Sequence, residues 1–397
     1  MTAPPRRRNP TRSLASLALL ATTAVACSGA PAPPSGRAAA SPHPSAAGGS
    51  ASHDRPFTLV ASGDVLPHDS IIRQARADAG GEGYDFRPML AGVRPVVSRA
   101  DLALCHMETV YGDEDGPYTG YPEFVSPPQV ADALAATGYD SCSTASNHTL
   151  DDGKRGVAHT LGALDRAGVA HAGSGRTASE AERPALLKAG GARIAHLAYT
   201  YGTNDIAPPE DAPWTVRLID RDRVLADARS ARKAGADIVV VSLHWGTEWQ
   251  QAPDEQQLTL SRELTASRTA GRPDVDLILG THAHVPQAYE KVNGTWVVYG
   301  MGDQIAGRMI NNAGVHDPRG NEGTLARFTF APPARSGGRW TVRKAEFVPQ
   351  WFDTGAGRVV NVPEAVAHGR DLTAVRDRLS AVVLSRKGAE NGLRTGR

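Results

Sequence analysis

From Phe57 onward the apolar residues fall into short continuous runs. Phe57 to Ala61, Leu102 to His106, Ile194 to Ala198, Ile238 to Leu243 and Leu277 to Leu279 have strand length. Several are unbroken rather than alternating, the pattern of sheets covered on both faces. Between them helical spacing takes over. Lys154 to Ala167 places Val157, Leu161 and Leu164 on one stripe, Asp220 to Ala234 and Asp254 to Ala270 read as helices, and Ser126-Pro127-Pro128 predicts a helix start with a cap and a first-turn proline. Later the helices drop out. Val292-Asn293-Gly294-Thr295 predicts a tight hairpin, Leu325 to Phe330 and Thr341 to Val348 predict further strands, and Pro333 to Gly338 reads as the loop between them. The predicted class is α/β, a layered sandwich with an antiparallel late portion spanning residues 55–352. In the tail, 353–397, Leu372, Val375, Leu379 and Val382 form the stripe of one amphipathic helix.

The chain before Phe57 follows other rules. Arg6, Arg7, Arg8 and Arg12 precede an apolar run from Leu14 to Ala26 that ends in small residues, the order of a secretory signal, and the run is too short to span a bilayer as a helix. Cys27 directly after it matches a lipid-attachment cysteine, so residues 1–27 predict a lipoprotein signal that places the chain at the outer face of the cell membrane. Cleavage at Ala24-Val25-Ala26 with a secreted product is the alternative. Residues 28–54, nearly all Ala, Pro, Ser and Gly, lack the apolar area to offset chain entropy and predict a tether.

Charge narrows the function classes. With 43 Lys and Arg against 42 Asp and Glu, the chain lacks the basic surplus of a nucleic-acid binder. The four arginines of the signal account for that balance. Without residues 1–26 there are 39 basic against 42 acidic residues, a net −3.

Metal-type side chains collect where the apolar runs stop. Asp64 follows the first run, Glu108 the second, Asn147-His148 the Ser141 to Ser146 stretch, His244 the Ile238 run, and His282-Ala283-His284 the Leu277 run. In α/β sheets ligands bind beyond the carboxyl ends of the strands, so these residues are predicted to converge. Imidazole with carboxylate suits divalent Mn, Zn or Fe, and an Asn carbonyl adds a hard oxygen. His148, beside one such ligand, is placed to act as a general acid. Phosphoester hydrolysis suits this chemistry.

These same segments carry a family resemblance. Gly63-Asp64-Val65-Leu66, Met107-Glu108, Asn147-His148-Thr149-Leu150-Asp151-Asp152-Gly153, His244-Trp245-Gly246-Thr247-Glu248-Trp249 and Gly280-Thr281-His282-Ala283-His284-Val285-Pro286-Gln287 stand in order between about residues 57 and 305. Together they resemble the poly-gamma-glutamate capsule synthesis proteins of the CapA type, a branch of the calcineurin-like metallophosphoesterase fold. The resemblance implies a four-layer α/β/β/α sandwich, one or two divalent metal ions on Asp64, Glu108, Asn147, His244, His282 and His284, and a catalytic His148. It also implies an anionic polymer or phosphoester substrate and membrane synthase components as partners. Two departures stand out. The wider phosphoesterase pattern opens Asp-x-His, whereas Leu66 follows Asp64-Val65 here; and Gly300-Met301-Gly302-Asp303-Gln304 replaces the family's Ser-Leu-Gly-Asn-Phe. A non-catalytic polymer-binding or synthase-assembly component, and a general extracellular phosphodiesterase or nucleotidase, are the alternative functions.

Neighbouring residues have less specific readings. His68 is expected as a substrate contact or a solvated loop histidine rather than a ligand, and Asp303 either replaces the missing Asn or is idle. Asp151 and Gly153 are expected to cap and open the helix from Lys154. Glu248 is a substrate-side or supporting candidate, and Trp245 and Trp249 read as core. Cys105 and Cys142 are expected as free, buried strand residues, although export permits a bridge.

Overall fold

The computed structural model describes residues 54–335 and 338–397; the signal, Cys27 and all of the tether except Asp54 lie outside the described residues. The chain lays down one sheet, crosses to a second, and returns to the first. β1 (Phe57–Leu66), β2 (Leu102–Met107), β3 (Ser141–Ser143) and β4 (Ala170–Ala172) pair in parallel. The second sheet contains β5 (Ala185–Ala189), β6 (Ala192–Thr200), β7 (Ile238–His244), β8 (Leu277–Thr281), β9 (Tyr289–Val292) and β10 (Thr295–Val298), in the order β9-β10-β8-β7-β6-β5. Then β11 (Asp303–Ala306), β12 (Glu322–Ala331), β13 (Thr341–Asp353), β14 (Arg358–Asn361) and β15 (Leu393–Thr395) rejoin the first sheet, whose main path reads β14-β13-β12-β1-β2-β3-β4.

Side-chain alternation stacks these sheets into four layers. Phe57, Leu59 and Ala61 of β1 meet Ile238 and Val240 of β7 and Leu277 and Leu279 of β8 in one cluster, so it fills the space between the sheets. Val60 and Val65 point the other way, into a cluster with Ile71 and Ala75 of the Asp69–Asp78 helix and Val130 and Leu134 of the Gln129–Thr137 helix. On the opposite outer face Val239, Val241 and Leu243 of β7 pack with Val224, Ala228, Leu260 and Leu264 of helices Arg221–Lys233 and Glu255–Ala266. The unbroken apolar run of β7 is thereby explained, since both faces are covered. The α/β/β/α order is the one expected.

Local signals hold where chemistry fixes them. Asp220 and Asp254 cap their helices, the latter in a reciprocal capping box with Gln257. Asn293 and Gly294 adopt φ of 50° and 85°, which joins β9 to β10 through a mirror-type turn. Four expectations fail. Ser126 does not cap: its hydroxyl pairs with that of Thr109 at 2.8 Å, and the helix starts at Gln129. The Asp254 helix stops at Ala266. The tail holds two helices, Val362–Ala367 and Thr373–Val383, and carries β14 and β15 into the first sheet, so the fold continues past Phe352. Cys105 and Cys142 are disulfide-bonded, because β2 and β3 place them directly opposite in parallel register with Cα atoms 4.4 Å apart. Among the described residues no helix is long and apolar enough to cross a membrane.

Candidate metal centre

Because β1, β2 and β3 are mutually parallel, as are β6, β7 and β8, their carboxyl ends bring the chemistry together. Backbone crowding sets the first position. A Cβ on Gly63 would lie 1.7 Å from the Gly302 carbonyl oxygen, so only glycine lets these backbones meet, and that oxygen accepts the Asp64 N–H at 3.1 Å. Asp64 thus lies beside Asp303 of β11 on one side and His106 of β2 on the other. All three are buried.

The imidazoles are aimed by hydroxyls on neighbouring strands. His106 Nδ1 meets Ser143 Oγ at 2.7 Å and its Nε2 faces Asp64 Oδ1 at 3.6 Å. His244 Nδ1 meets Thr281 Oγ1 at 3.0 Å, while its Nε2 faces Asn147 Oδ1 at 2.8 Å and Glu108 Oε1 at 3.8 Å. Fixing one ring nitrogen presents the other to the centre, as supported ligands require. The His106, His244 and His282 rings follow one another at 4.7 Å centroid spacing. His282 and His284 do not extend β8 as an alternating segment. Their φ values of 93° and 55° bend the chain, and the His282 N–H donates to Asp64 Oδ2 at 3.1 Å. Such left-handed conformations in non-glycine residues are held only where the surroundings over-determine them.

Glu108, Asn147 and His148 come from adjacent loops joined by one hydroxyl. Ser146 Oγ donates to the Glu108 carbonyl and accepts the His148 N–H at 3.0 Å. Asp151 does not cap the following helix. Its Oδ2 instead accepts from Phe124 N at 2.7 Å and pairs with His148 Nδ1 at 2.6 Å, with its side chain 1% exposed. Asp303 Oδ1 takes His284 Nδ1 at 2.9 Å, which places it within the cluster rather than idle.

Three groups of ligand atoms gather within 4.8 Å: Asp64, His106 and His244; Glu248, His282 and His284; and Asp64, Glu108, His284 and Asp303. Asn147 joins them through His244. His68 belongs to none of the three; its Nδ1 lies 3.1 Å from Leu66 O and 3.2 Å from Gly307 N, and its ring lines the adjoining cavity. Trp245 is core as expected, but Trp249 lines that cavity too. Two residues were missed. His106 reads as strand interior, although the alternation His106-Met107-Glu108 puts both polar residues on one side. Tyr201, 4.4 Å from the His282 ring, carries no sequence signal.

The donor set fits a divalent cation. Asp64 Oδ1, both Glu108 oxygens, His106 Nε2, His282 Nδ1 and Asp303 Oδ2 are buried without any hydrogen-bond partner, which is costly unless something positive joins them. Titration points the same way. Burial, then repulsion from Asp303, pushes Asp64 up to about 8, and burial pushes Glu108 and Asp303 upward. Burial drives His106 down to about 3 and His244 and His282 well down, which keeps them in the neutral, ligating form. At His284 burial opposes the charge, but Asp303 and Glu108 outweigh it and the net shift is upward. Three buried carboxylates crowded together favour a divalent cation as their common partner.

Residues 58–308 match the family described as bacterial capsule synthesis protein PGA_cap. The chain is 32% identical over 165 residues to the PGA biosynthesis protein CapA of Bacillus subtilis, covering 41% of each chain. It is 28% identical over 178 residues to the capsule biosynthesis protein CapA of Bacillus anthracis, covering 44% of this chain and 41% of that one. The matched stretch therefore spans about two fifths of these relatives. Among solved structures it is similar to the calcineurin-like phosphoesterase YfkN of Bacillus subtilis, with a TM-score of 0.43 and 14% identity over 75% of this chain and 91% of that one.

Proposed function

The chain belongs to the bacterial capsule synthesis protein family PGA_cap, and from that premise we propose that it is a metal-dependent hydrolase acting on an extracellular anionic polymer of the poly-gamma-glutamate kind, in its synthesis, attachment or processing. The reading is carried by the buried carboxylate and imidazole atoms that have no hydrogen-bond partner among the described residues, placed beside the Asp151-held His148. It includes export, with Cys27 as the lipid-attachment point at the outer face of the membrane, supported by the basic, apolar and small-residue succession of residues 1–27.

Asp64, His106, Glu108, Asn147, His244, His282, His284 and Asp303 would hold the ion or ions. A divalent ion supplies Lewis-acid stabilisation of charge developing on a phosphoryl or carbonyl oxygen. The proton is the chain's own contribution. Asp151 accepts from His148 Nδ1, which leaves Nε2 for the leaving group and stabilises the imidazolium before transfer. The Phe124 N–H holds Asp151, and the Phe124 ring packs edge-on against His148 with centroids 4.7 Å apart, fixing the donor's direction.

One observation favours a second reading, a non-catalytic polymer-binding or synthase-assembly component. Leu66 occupies the position of the wider pattern's histidine and is buried with Phe124, Ala306 and Met309, so that position offers no ligand. His106 and Asp303 supply donors from other strands, and for this reason we favour catalysis. Metal content of the purified domain, followed by assay of the same sample on an activated phosphodiester and on poly-gamma-glutamate, separates the two. Stoichiometric metal with turnover is expected. Metal without turnover supports the second reading, and absence of metal after reconstitution sinks the first.

A further inference from the structure

A cavity of about 520 Å³ adjoins the cluster, shares Glu248 and His284 with it and is lined by His148 as well. Phe124, Trp249 and Met309 line it, and two large apolar residues at the same cavity stand exposed, Tyr121 at 76% and Ile310 at 49%. Exposed apolar side chains around a concave site fit a ligand that brings methylene groups of its own. The formally charged lining residues are Glu248 and Arg308. A Glu248 oxygen lies within 4.8 Å of ring nitrogens of His282 and His284, close enough to share a cation with them. Arg308 is exposed, and among the described residues its guanidinium has no ion-pair partner. Its backbone is nonetheless fixed: the Gly307 N–H donates to His68 Nδ1 at 3.2 Å, the Asn321 side chain donates to Gly307 O at 2.8 Å, and Met309 is buried. Among the described residues one unpaired cation therefore stands beside a cavity that has an apolar wall and opens onto the proton donor.

We propose that Arg308 is a specificity-determining residue that reads a free carboxylate on the substrate residue lodged between Phe124 and Trp249, while the neighbouring linkage is presented to His148. A γ-linked glutamate unit supplies both features, two methylenes for the apolar wall and one free α-carboxylate for the guanidinium, whose planar fork suits a carboxylate in bidentate fashion. The inference rests on the reading of an anionic glutamyl polymer as substrate, and it extends that reading to the residue that recognises it.

The test compares wild type, Arg308→Gln and Arg308→Lys, metal-loaded and at fixed salt. Equilibrium binding and KM are measured for a γ-glutamyl oligomer with free carboxylates and for the same oligomer with the carboxylates amidated. Arg308→Gln is expected to weaken the free-acid oligomer about 10- to 100-fold, the loss of one charged hydrogen-bonded pair, with the amidated oligomer unaffected. Arg308→Lys should recover part of the loss. Equal affinity in wild type and Arg308→Gln, an equal loss for both oligomers, or no binding of the free acid to wild type overturns the proposal. Arg308-dependent binding without turnover supports it while sinking the hydrolase reading; turnover indifferent to Arg308→Gln does the reverse.

Discussion

His148 and Asp151 are three residues apart, and their roles separate by what each touches. His148 lines the cavity, whereas Asp151 does not, and its carboxylate hydrogen-bonds His148 and the Phe124 backbone. His148→Ala should lower kcat by about 10²- to 10⁴-fold, the span of general acid catalysis, with bound metal unchanged. Asp151→Asn keeps an acceptor for Phe124 but removes the charge that favours the imidazolium. Its expected loss is smaller, about 10- to 100-fold, with bound metal unchanged. Steady-state kinetics with metal analysis checks the pair; an Asp151→Asn enzyme at wild-type rate would reduce the carboxylate to a structural prop. His106 is the counterpart on the metal side, being unmarked in the sequence motifs yet 3.6 Å from Asp64 with its second nitrogen unpartnered. His106→Ala should lower the metal retained after dialysis, and unchanged stoichiometry would remove it from the ligand set.

At the scale of elements, two glycines separate packing from turn chemistry. Gly63→Ala would drive a Cβ into the Gly302 carbonyl, between the strands that carry Asp64 and Asp303, so stability and metal binding should fall together. Gly294→Ala meets nothing within 4 Å and costs only the left-handed turn, about 1 kcal/mol, with metal binding intact. Urea denaturation and metal content on both variants check the contrast. The disulfide joins strands whose cysteines are 37 positions apart, and closing a loop of that length is worth about 4 kcal/mol in the chain-entropy view, so reduction should lower the urea midpoint accordingly. The same contrast marks what was legible in the sequence. Strands and the Asn-Gly turn are local, and so were readable, as was the placement of Asp64, Glu108, Asn147, His244 and the His282 segment at strand ends. The Cys105–Cys142 pair, the link between His106 and Asp64, and Asp151 turned away from its helix all depend on strand register or on a partner distant in sequence. The bend at His282 and His284 opposes local preference and is imposed by the cluster around it.

Across the described residues the two sheets are held by an apolar layer crossed by buried polar ties, Tyr289 to Thr324 at 2.8 Å and one through His196 among them. His196 of β6 is fully buried, its Nδ1 3.0 Å from Ser141 Oγ of the first sheet and its Nε2 2.9 Å from Ser242 Oγ of β7. Burial lowers its pKa to about 4, whereas a histidine in the unfolded chain titrates near 6.5. Between those values the unfolded chain takes up a proton that the folded chain refuses, so acid favours unfolding. The stability at stake is whole above about pH 6.5, declines as the pH falls toward 4, and levels off below, for a total of about 3 kcal/mol. Other buried histidines of the metal cluster add to this slope, and only a difference between variants isolates one of them. His196→Gln retains a side chain able to bond both serines but has no proton to gain. Its urea midpoint, measured against wild type from pH 7.5 to 4.5, should fall less steeply with acid, so that the two curves converge or cross. Parallel curves would show that His196 takes up its proton in the folded state, and that the contact between the sheets is wetter than its burial states.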